Sequence, residues 1–244
     1  MKTRLDQRLV QLKLVRSRSQ AESYIKLGKV KVNGKIVDKP GHAVSSDAKI
    51  QLTAEEQYVS RAALKLASVA DALNLEFQGK TVLDVGSSTG GFTDFALKHG
   101  ATKVIAVDVG TDQLHPSLHG DPRIELHEKT DIRDFQPKGE QSKASNIDIV
   151  VADVSFISLR QILPSIARLT SNKTQIVVMV KPQFEADQTN QKHKGVIKND
   201  KIRRDILKGF EQWTQQRFVI VDKADSAVSG AKGNQERFYL LRKA

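Results

Sequence analysis

The sequence predicts an α/β protein: a mostly parallel seven-stranded sheet over residues 58–244, preceded by a small, basic α+β module over residues 1–57. Three observations predict it. Seven short apolar runs alternate with helical stretches after residue 58, the pattern of a parallel sheet covered on both faces. The first 52 residues instead carry two short amphipathic patterns and a hairpin signal. The charge is also uneven: the formal net charge is +11, yet residues 1–50 hold 12 Lys and Arg against 4 Asp and Glu, and the remainder 27 against 24.

In the basic module, Leu5, Leu9 and Leu12 fall on one helical face ringed by Arg4, Arg8 and Arg16. A second helix is expected from Ser19 to Leu27, with Ala21, Tyr24 and Ile25 inward and Gly28 as its C-terminal stop. KVKVNGKIVDKP then reads as a hairpin. Val30 and Val32 alternate with Lys29 and Lys31, Asn33-Gly34 supplies the positive φ angles of a type I′ turn, and Ile36 and Val37 begin the return strand. A further strand is expected at Ile50–Leu52, and TAEEQ (53–57) reads as a linker. A concentrated basic surface suits a polyanion, because each neutralised phosphate releases counterions.

A membrane is the competing target for such charge. No stretch approaches the roughly 20 apolar residues of a spanning helix, and charges break up the Leu and Val residues at the N-terminus, so no signal-peptide core is present. With no Cys, disulfides and thiolate metal sites are excluded, and no metal is expected. These features point to a soluble cytoplasmic protein.

Seven strands are expected in the larger unit, at 81–85, 103–109, 124–127, 147–153, 175–180, 217–224 and 237–241. The helical stretches between them are Ser60–Leu73, Phe92–His99, Ser158–Leu169 and Lys201–Gln215. A polar, Lys-rich loop spans Glu185–Asp200.

The strongest motif is KTVLDVGSSTGGFTDFAL, a buried strand ending in Asp84, a turn Gly86-Ser87-Ser88-Thr89-Gly90-Gly91, and a helix from Phe92. Glycines admit a ligand close to the backbone, and the helix start offers free N–H groups, so the turn suits a nucleotide-like cofactor. It is not a phosphate loop of the G-x-x-x-x-G-K-[ST] kind and matches the dinucleotide pattern only imperfectly. Asp108, followed by Val109, ends the second strand, where a carboxylate accepts from a ribose diol. Asp131, followed by Ile132, follows the third, where it could take an adenine amino group. Acid, glycines, acid and acid on successive strand ends fit S-adenosylmethionine, which has an adenosine and a cationic tail but no pyrophosphate.

A second constellation depends on folding to assemble it: Lys65 in the helix before the sheet, Asp153 ending the fourth strand, Lys181 ending the fifth and Glu236 opening the last. Ligand chemistry in open parallel sheets lies beyond the carboxyl ends of the strands, which places Asp153 and Lys181 there.

YVSRAALKL, LDVGSSTGGFTD, VVADVSFISL, VKPQFE and SGAKGNQE together resemble the TlyA family of ribosomal RNA 2′-O-methyltransferases, and residues 3–52 resemble an S4 RNA-binding module. The catalytic half is similar to the FtsJ-type enzymes, whose Lys-Asp-Lys-Glu tetrad maps onto Lys65, Asp153, Lys181 and Glu236. The resemblance implies a Rossmann-like fold and S-adenosylmethionine bound by Asp84, the 86–92 turn, Asp108, Val109, Asp131, Ile132 and Asp153. It also implies ribosomal RNA or ribosomal subunits as partner, held by Arg4, Arg8, Arg16, Arg18, Lys26, Lys29, Lys31 and Lys35, with methyl transfer to a ribose 2′-hydroxyl, that of a cytidine. Ala62 and Ala63 stand where that pattern has Gly-Gly, and Arg237 separates Glu236 from Phe238.

A 2′-hydroxyl is a weak nucleophile and needs a proton acceptor. Lys181 is the candidate, with Asp153 and Glu236 orienting the lysines. Some relatives carry a haemolysin label, which makes a membrane-active protein one alternative; a non-catalytic RNA binder is another, and a nucleotide-dependent oxidoreductase is disfavoured by the missing pyrophosphate fingerprint.

Overall fold

The computed structural model describes residues 2–15, 17–54, 58–137, 146–186, 195–197, 199–230 and 233–244. Its N-terminal part runs β1 (Thr3–Arg4), α1 (Leu5–Gln11), α2 (Arg18–Lys26), β2 (Val30–Val32), β3 (Lys35–Ile36), β4 (Ala43–Val44) and β5 (Ile50–Leu52). The hairpin forms as its sequence dictates: Lys31 pairs with Ile36 and Val32 with Lys35, and Asn33 and Gly34 take φ of 49° and 81°. β5 joins on the other side of β2 to give the order β3-β2-β5. The sequence gives no sign of the short β1–β4 pair beside it.

The first helix ends earlier than its leucine spacing predicts. Lys13 adopts φ of 57°, and the N–H groups of Lys13 and Leu14 return to Val10 O and Leu9 O, so the chain leaves the helix in a Schellman turn. Leu12 is therefore left 41% exposed, while Val15 is buried in its stead.

The larger part follows as α3 (Arg61–Ala70), β6 (Thr81–Val85), α4 (Gly91–Lys98), β7 (Lys103–Val107), β8 (Ile124–His127), β9 (Ile149–Ala152), α5 (Leu159–Leu169), β10 (Gln175–Val180), α6 (Pro182–Glu185), α7 (Asp200–Thr214), β11 (Phe218–Asp225) and β12 (Arg237–Lys243). Its seven strands form one sheet, ordered β11-β12-β10-β9-β6-β7-β8. The five from β10 to β8 are mutually parallel, and β12 runs antiparallel between β10 and β11. Side chains alternate along each strand. Val82, Val104, Val151, Val177 and Phe238 pack with Leu64, Leu66 and Phe95 of α3 and α4. Leu83, Ile105, Val150, Val178 and Tyr239 pack with Ile162, Ile166, Leu207 and Phe210 of α5 and α7. Each such side chain contributes about 1.5–3 kcal/mol when fully buried.

The two parts share one buried cluster, in which Leu9, Tyr24 and Ile25 join Tyr58, Leu64 and Phe95. Gln20 Nε2 donates to Tyr58 O across the junction at 3.3 Å. Among the described residues, no helix is long and apolar enough to cross a membrane.

Candidate active site

The parallel register brings the turns after β6, β7, β9 and β10 to one edge of the sheet. Asp84, one residue from the end of β6, is fully buried. Its Oδ2 accepts from Thr93 Oγ1 at 2.7 Å, whereas Oδ1 has no partner among the described residues. Burial pushes this carboxyl up to about 7; the hydrogen bond from Thr93 opposes the rise, and the neighbouring charges of Asp153 and Asp108 add to it. Ser87 Oγ is likewise buried without a partner among the described residues. Orphaned buried polar atoms cost about 1–3 kcal/mol each, so two at one turn mark a place where a polar ligand restores what folding removed.

Glycine is required here for different reasons at different positions. Gly86 has φ of 80°, and a Cβ on it would lie 2.9 Å from Asp153 O, so its absence lets the turn after β6 touch the turn after β9. Gly90 and Gly91 line neither part of the cleft described below. A Cβ on Gly90 would meet Leu114 and Leu118, and one on Gly91 would meet Ser60 and Ala62. Of the three glycines, Gly86 lines the cleft, while Gly90 and Gly91 allow close packing on the side where a Cβ would stand.

That cleft has two connected parts. The larger, about 350 Å³, is lined by Val85, Asp108, Val109, Asp131, Ile132 and Ile162, among others. The smaller, about 130 Å³, is lined by Asp84, Ser87, Thr89, Phe92 and Lys181, among others. Gly86, Ser88, Asp153 and Ser155 border both. Asp108 accepts from the backbone N–H of Ser88 at 2.8 Å and of Gly110 at 2.7 Å, which fixes its carboxylate at the rim. Asp131 is held by Arg133, whose guanidinium donates to both of its oxygens and keeps this carboxyl below its ordinary range. Val109, 70% exposed, and Ile132 supply apolar wall.

The four residues of the distributed constellation come together. Lys181 Nζ lies 2.5 Å from Asp153 Oδ1 and donates to Ser155 Oγ at 2.8 Å. Lys65 Nζ lies 2.5 Å from Glu236 Oε2, both side chains buried. Backbone register explains the meeting of the pairs: Val180 stands opposite Arg237, so Lys181 and Glu236 leave adjacent strands at the same level. Burial raises the Glu236 carboxyl, Lys65 opposes this most strongly, and the charges of Asp153 and Lys181 also reach it. Two ammonium and two carboxylate groups thus neutralise one another; Lys181 and Asp153 line the small part of the cleft, whereas the buried Lys65–Glu236 pair lines neither part.

The basic module is less simply arranged. Arg4 and Arg18 both donate to the buried Asp6 at 3.0 Å, so each is held in place while about half of its side chain stays exposed. Arg8 donates to Ser46 O. Lys26, Lys29 and Lys35 are exposed and Lys31 is half-buried. Arg16 lies outside the described residues, as does most of the Lys-rich loop.

Several cleft residues escaped the sequence reading: Gln113 and Thr130 on the wall of the larger part, and Ser155 and Phe156 after β9. Phe156 is 91% exposed, has φ of 67° and sits 5.3 Å from the Phe184 ring centroid. A large aromatic side chain three residues after a strand-end acid, in DVSFISL, is the signal that marks it.

Known proteins match this arrangement over the whole chain. The model of the FtsJ-like methyltransferases matches residues 58–243, and that of the S4 domain matches residues 3–50. The chain is 38% identical to the 16S/23S rRNA (cytidine-2′-O)-methyltransferase TlyA of Mycobacterium tuberculosis, over 99% of this chain and 90% of that one. It is 38% identical to the Hemolysin A of Brachyspira hyodysenteriae, over 96% and 97%. A solved haemolysin-candidate structure from Streptococcus thermophilus superposes with a TM-score of 0.71 at 34% identity, covering 100% of this chain and 89% of that one. The chain belongs to the FtsJ-like methyltransferases, in the TlyA group that carries an S4 domain ahead of the transferase unit.

Proposed function

We propose that this methyltransferase moves a methyl group from S-adenosylmethionine to the ribose 2′-hydroxyl of a cytidine in ribosomal RNA, acting in the cytoplasm, with residues 1–57 docking the RNA and residues 58–244 performing the transfer. The observation that carries the proposal is the meeting of the Lys65–Glu236 and Lys181–Asp153 pairs beside an unpartnered Asp84 oxygen.

The residues fit the cofactor. Asp84 Oδ1 and Ser87 Oγ are free acceptors for its amino-acid end, and Asp108 and Asp131 border the larger cavity, which has room and apolar wall for adenosine. S-adenosylmethionine supplies an electrophilic methyl group. Lys181 Nζ, steered by Asp153 and Ser155, orients the 2′-hydroxyl. As the neutral amine, Lys181 Nζ takes the hydroxyl proton while the oxygen attacks, and the ammonium that results pairs with Asp153. The buried Lys65–Glu236 pair, whose charges reach Asp153 and Lys181, helps to keep that second pair in place. Fixing the reacting groups in line contributes up to about 7–11 kcal/mol in favourable cases. Phe156 offers a stacking face for the target base just outside.

Mass spectrometry of nuclease-digested ribosomal RNA from cells with and without the gene tests this. One ribose-methylated cytidine missing from the deletion supports the proposal; an unchanged set of modified nucleosides refutes it.

A further inference from the structure

Glu185 is a buried carboxylate for which the tetrad has no use. It ends α6, the single helical turn that follows Lys181, and its side chain is 1% exposed. Oε2 accepts from Ser158 Oγ at 2.7 Å, Oε1 accepts from Leu159 N–H at 2.7 Å, and Arg160 Nε approaches Oε2 at 3.5 Å. Ser158 is the N-cap of α5, so the carboxylate sits where that helix presents unsatisfied N–H groups. Burial raises this carboxyl above its ordinary value, opposed by the hydrogen bonds from Ser158 and Leu159. Glu185 lines neither part of the cleft.

Its two partners belong to the segment that follows β9, and its own segment follows β10. The first of these turns carries Asp153, Ser155 and Phe156; the second carries Lys181 and Phe184. They touch at three further places: Lys181 with Asp153, Lys181 with Ser155, and Phe156 against Phe184. Backbone pairing between β9 and β10 ends at Ala152 and Val178, before either turn begins. Beyond that point, among the described residues, the hydrogen bonds, ion pair and ring contact between the two turns all involve side chains.

We propose that Glu185 is a positioning residue, a latch that ties the turn after β10 to the start of α5 and so holds Lys181 at the distance from Asp153 and Ser155 that proton transfer requires. The inference rests on the methyl-transfer reading above and adds to it the part that fixes the geometry of the base. A latch of this kind acts on the chemical step, because misplacement of a reacting group by about 1 Å costs up to about 100-fold in rate.

The test compares Glu185→Leu, which fills the same space without hydrogen bonds, with Glu185→Gln, which still accepts from Leu159 N–H and can donate to Ser158 Oγ. Steady-state methyl transfer to ribosomal RNA, calorimetry with S-adenosylmethionine and thermal unfolding are measured for each. Glu185→Leu should lower kcat by about 10- to 100-fold while the KM for RNA and the cofactor affinity stay close to wild type. Glu185→Gln should recover most of the turnover. Wild-type kcat in Glu185→Leu, equal loss in Glu185→Gln, or a fall in cofactor affinity matching the fall in kcat would each overturn the assignment. Should Glu185→Leu not fold, Glu185→Ala in a background that folds at lower temperature removes both bonds, and Ser158→Ala removes the one to Oε2; turnover should fall in both, and wild-type turnover in Glu185→Ala overturns it equally. A wild-type chain that methylates no ribose fails the functional reading and takes this inference with it; an active wild type with an equally active Glu185→Leu fails this inference alone.

Discussion

Lys65 on α3 and Glu236 at the head of β12, from opposite ends of the transferase unit, form a 2.5 Å ion pair whose side chains are 9% and 3% exposed. Removing one member of a buried pair strands the other, a loss of about 3–5 kcal/mol. Glu236→Ala should therefore lower the unfolding midpoint in denaturant markedly, whereas Lys65→Met combined with Glu236→Leu should regain much of the stability with no regain of methyl transfer. Chemical unfolding and an activity assay on the same samples decide it. Recovery of activity in the double variant would show the pair to be structural only.

Asp84 gives the site a pH dependence of definite sign. Its folded pKa, about 7, lies above the ordinary 3.8, so the folded ligand-free chain binds the extra proton and loses stability as pH rises between those values. The ionised carboxylate is the form that pairs with a cationic amino group. Cofactor affinity should thus rise from pH 6 to pH 8, and in Asp84→Asn it should be weaker and flat over that range. Calorimetry at three pH values checks this; a parallel rise in the Asn variant would assign the effect to another group.

Phe156 is held open to solvent at φ of 67° beside Phe184, at the mouth of the cleft. Stacking of a base on an aromatic face is worth about 1–3 kcal/mol. Phe156→Ala should raise the KM for RNA by roughly 5- to 150-fold, the equivalent of that energy, with cofactor binding untouched. An unchanged KM would place the target base elsewhere.

The hairpin lysines test RNA docking better than truncation does, because Tyr24 and Ile25 share a core with Tyr58 and Leu64 and deleting the module would expose that core. Charge removal at Lys29, Lys31 and Lys35 should weaken RNA binding and reduce the slope of log affinity against log salt by roughly 2 to 3. A slope equal to wild type would exclude these lysines as phosphate contacts.

Much of this was legible in the sequence because it is local or tied to strand ends. Asn33-Gly34 set the hairpin, the apolar runs set seven strands, and TVLDV followed by glycines set the first turn. Lys181 and Asp153 could be placed beside each other because each follows a buried strand. Other features depend on contacts distant in sequence. That a Cβ on Gly90 or Gly91 would meet Leu114, Leu118, Ser60 or Ala62 is invisible in the sequence. Arg4 and Arg18 look like free cations until the buried Asp6 is found holding both. Glu185 reads as the start of a polar loop, and only folding shows it at the head of α5.

Transfer to a ribose oxygen is tested most directly with purified wild-type and Lys181→Ala chains, ribosomal subunits and methyl-tritiated S-adenosylmethionine, followed by nuclease digestion and chromatography of the nucleosides. The account predicts label in 2′-O-methylcytidine for the wild type. For Lys181→Ala it predicts a loss of at least about 100-fold while calorimetry still detects cofactor binding. Label on a base or on protein, or undiminished label in the Lys181 variant, would contradict it.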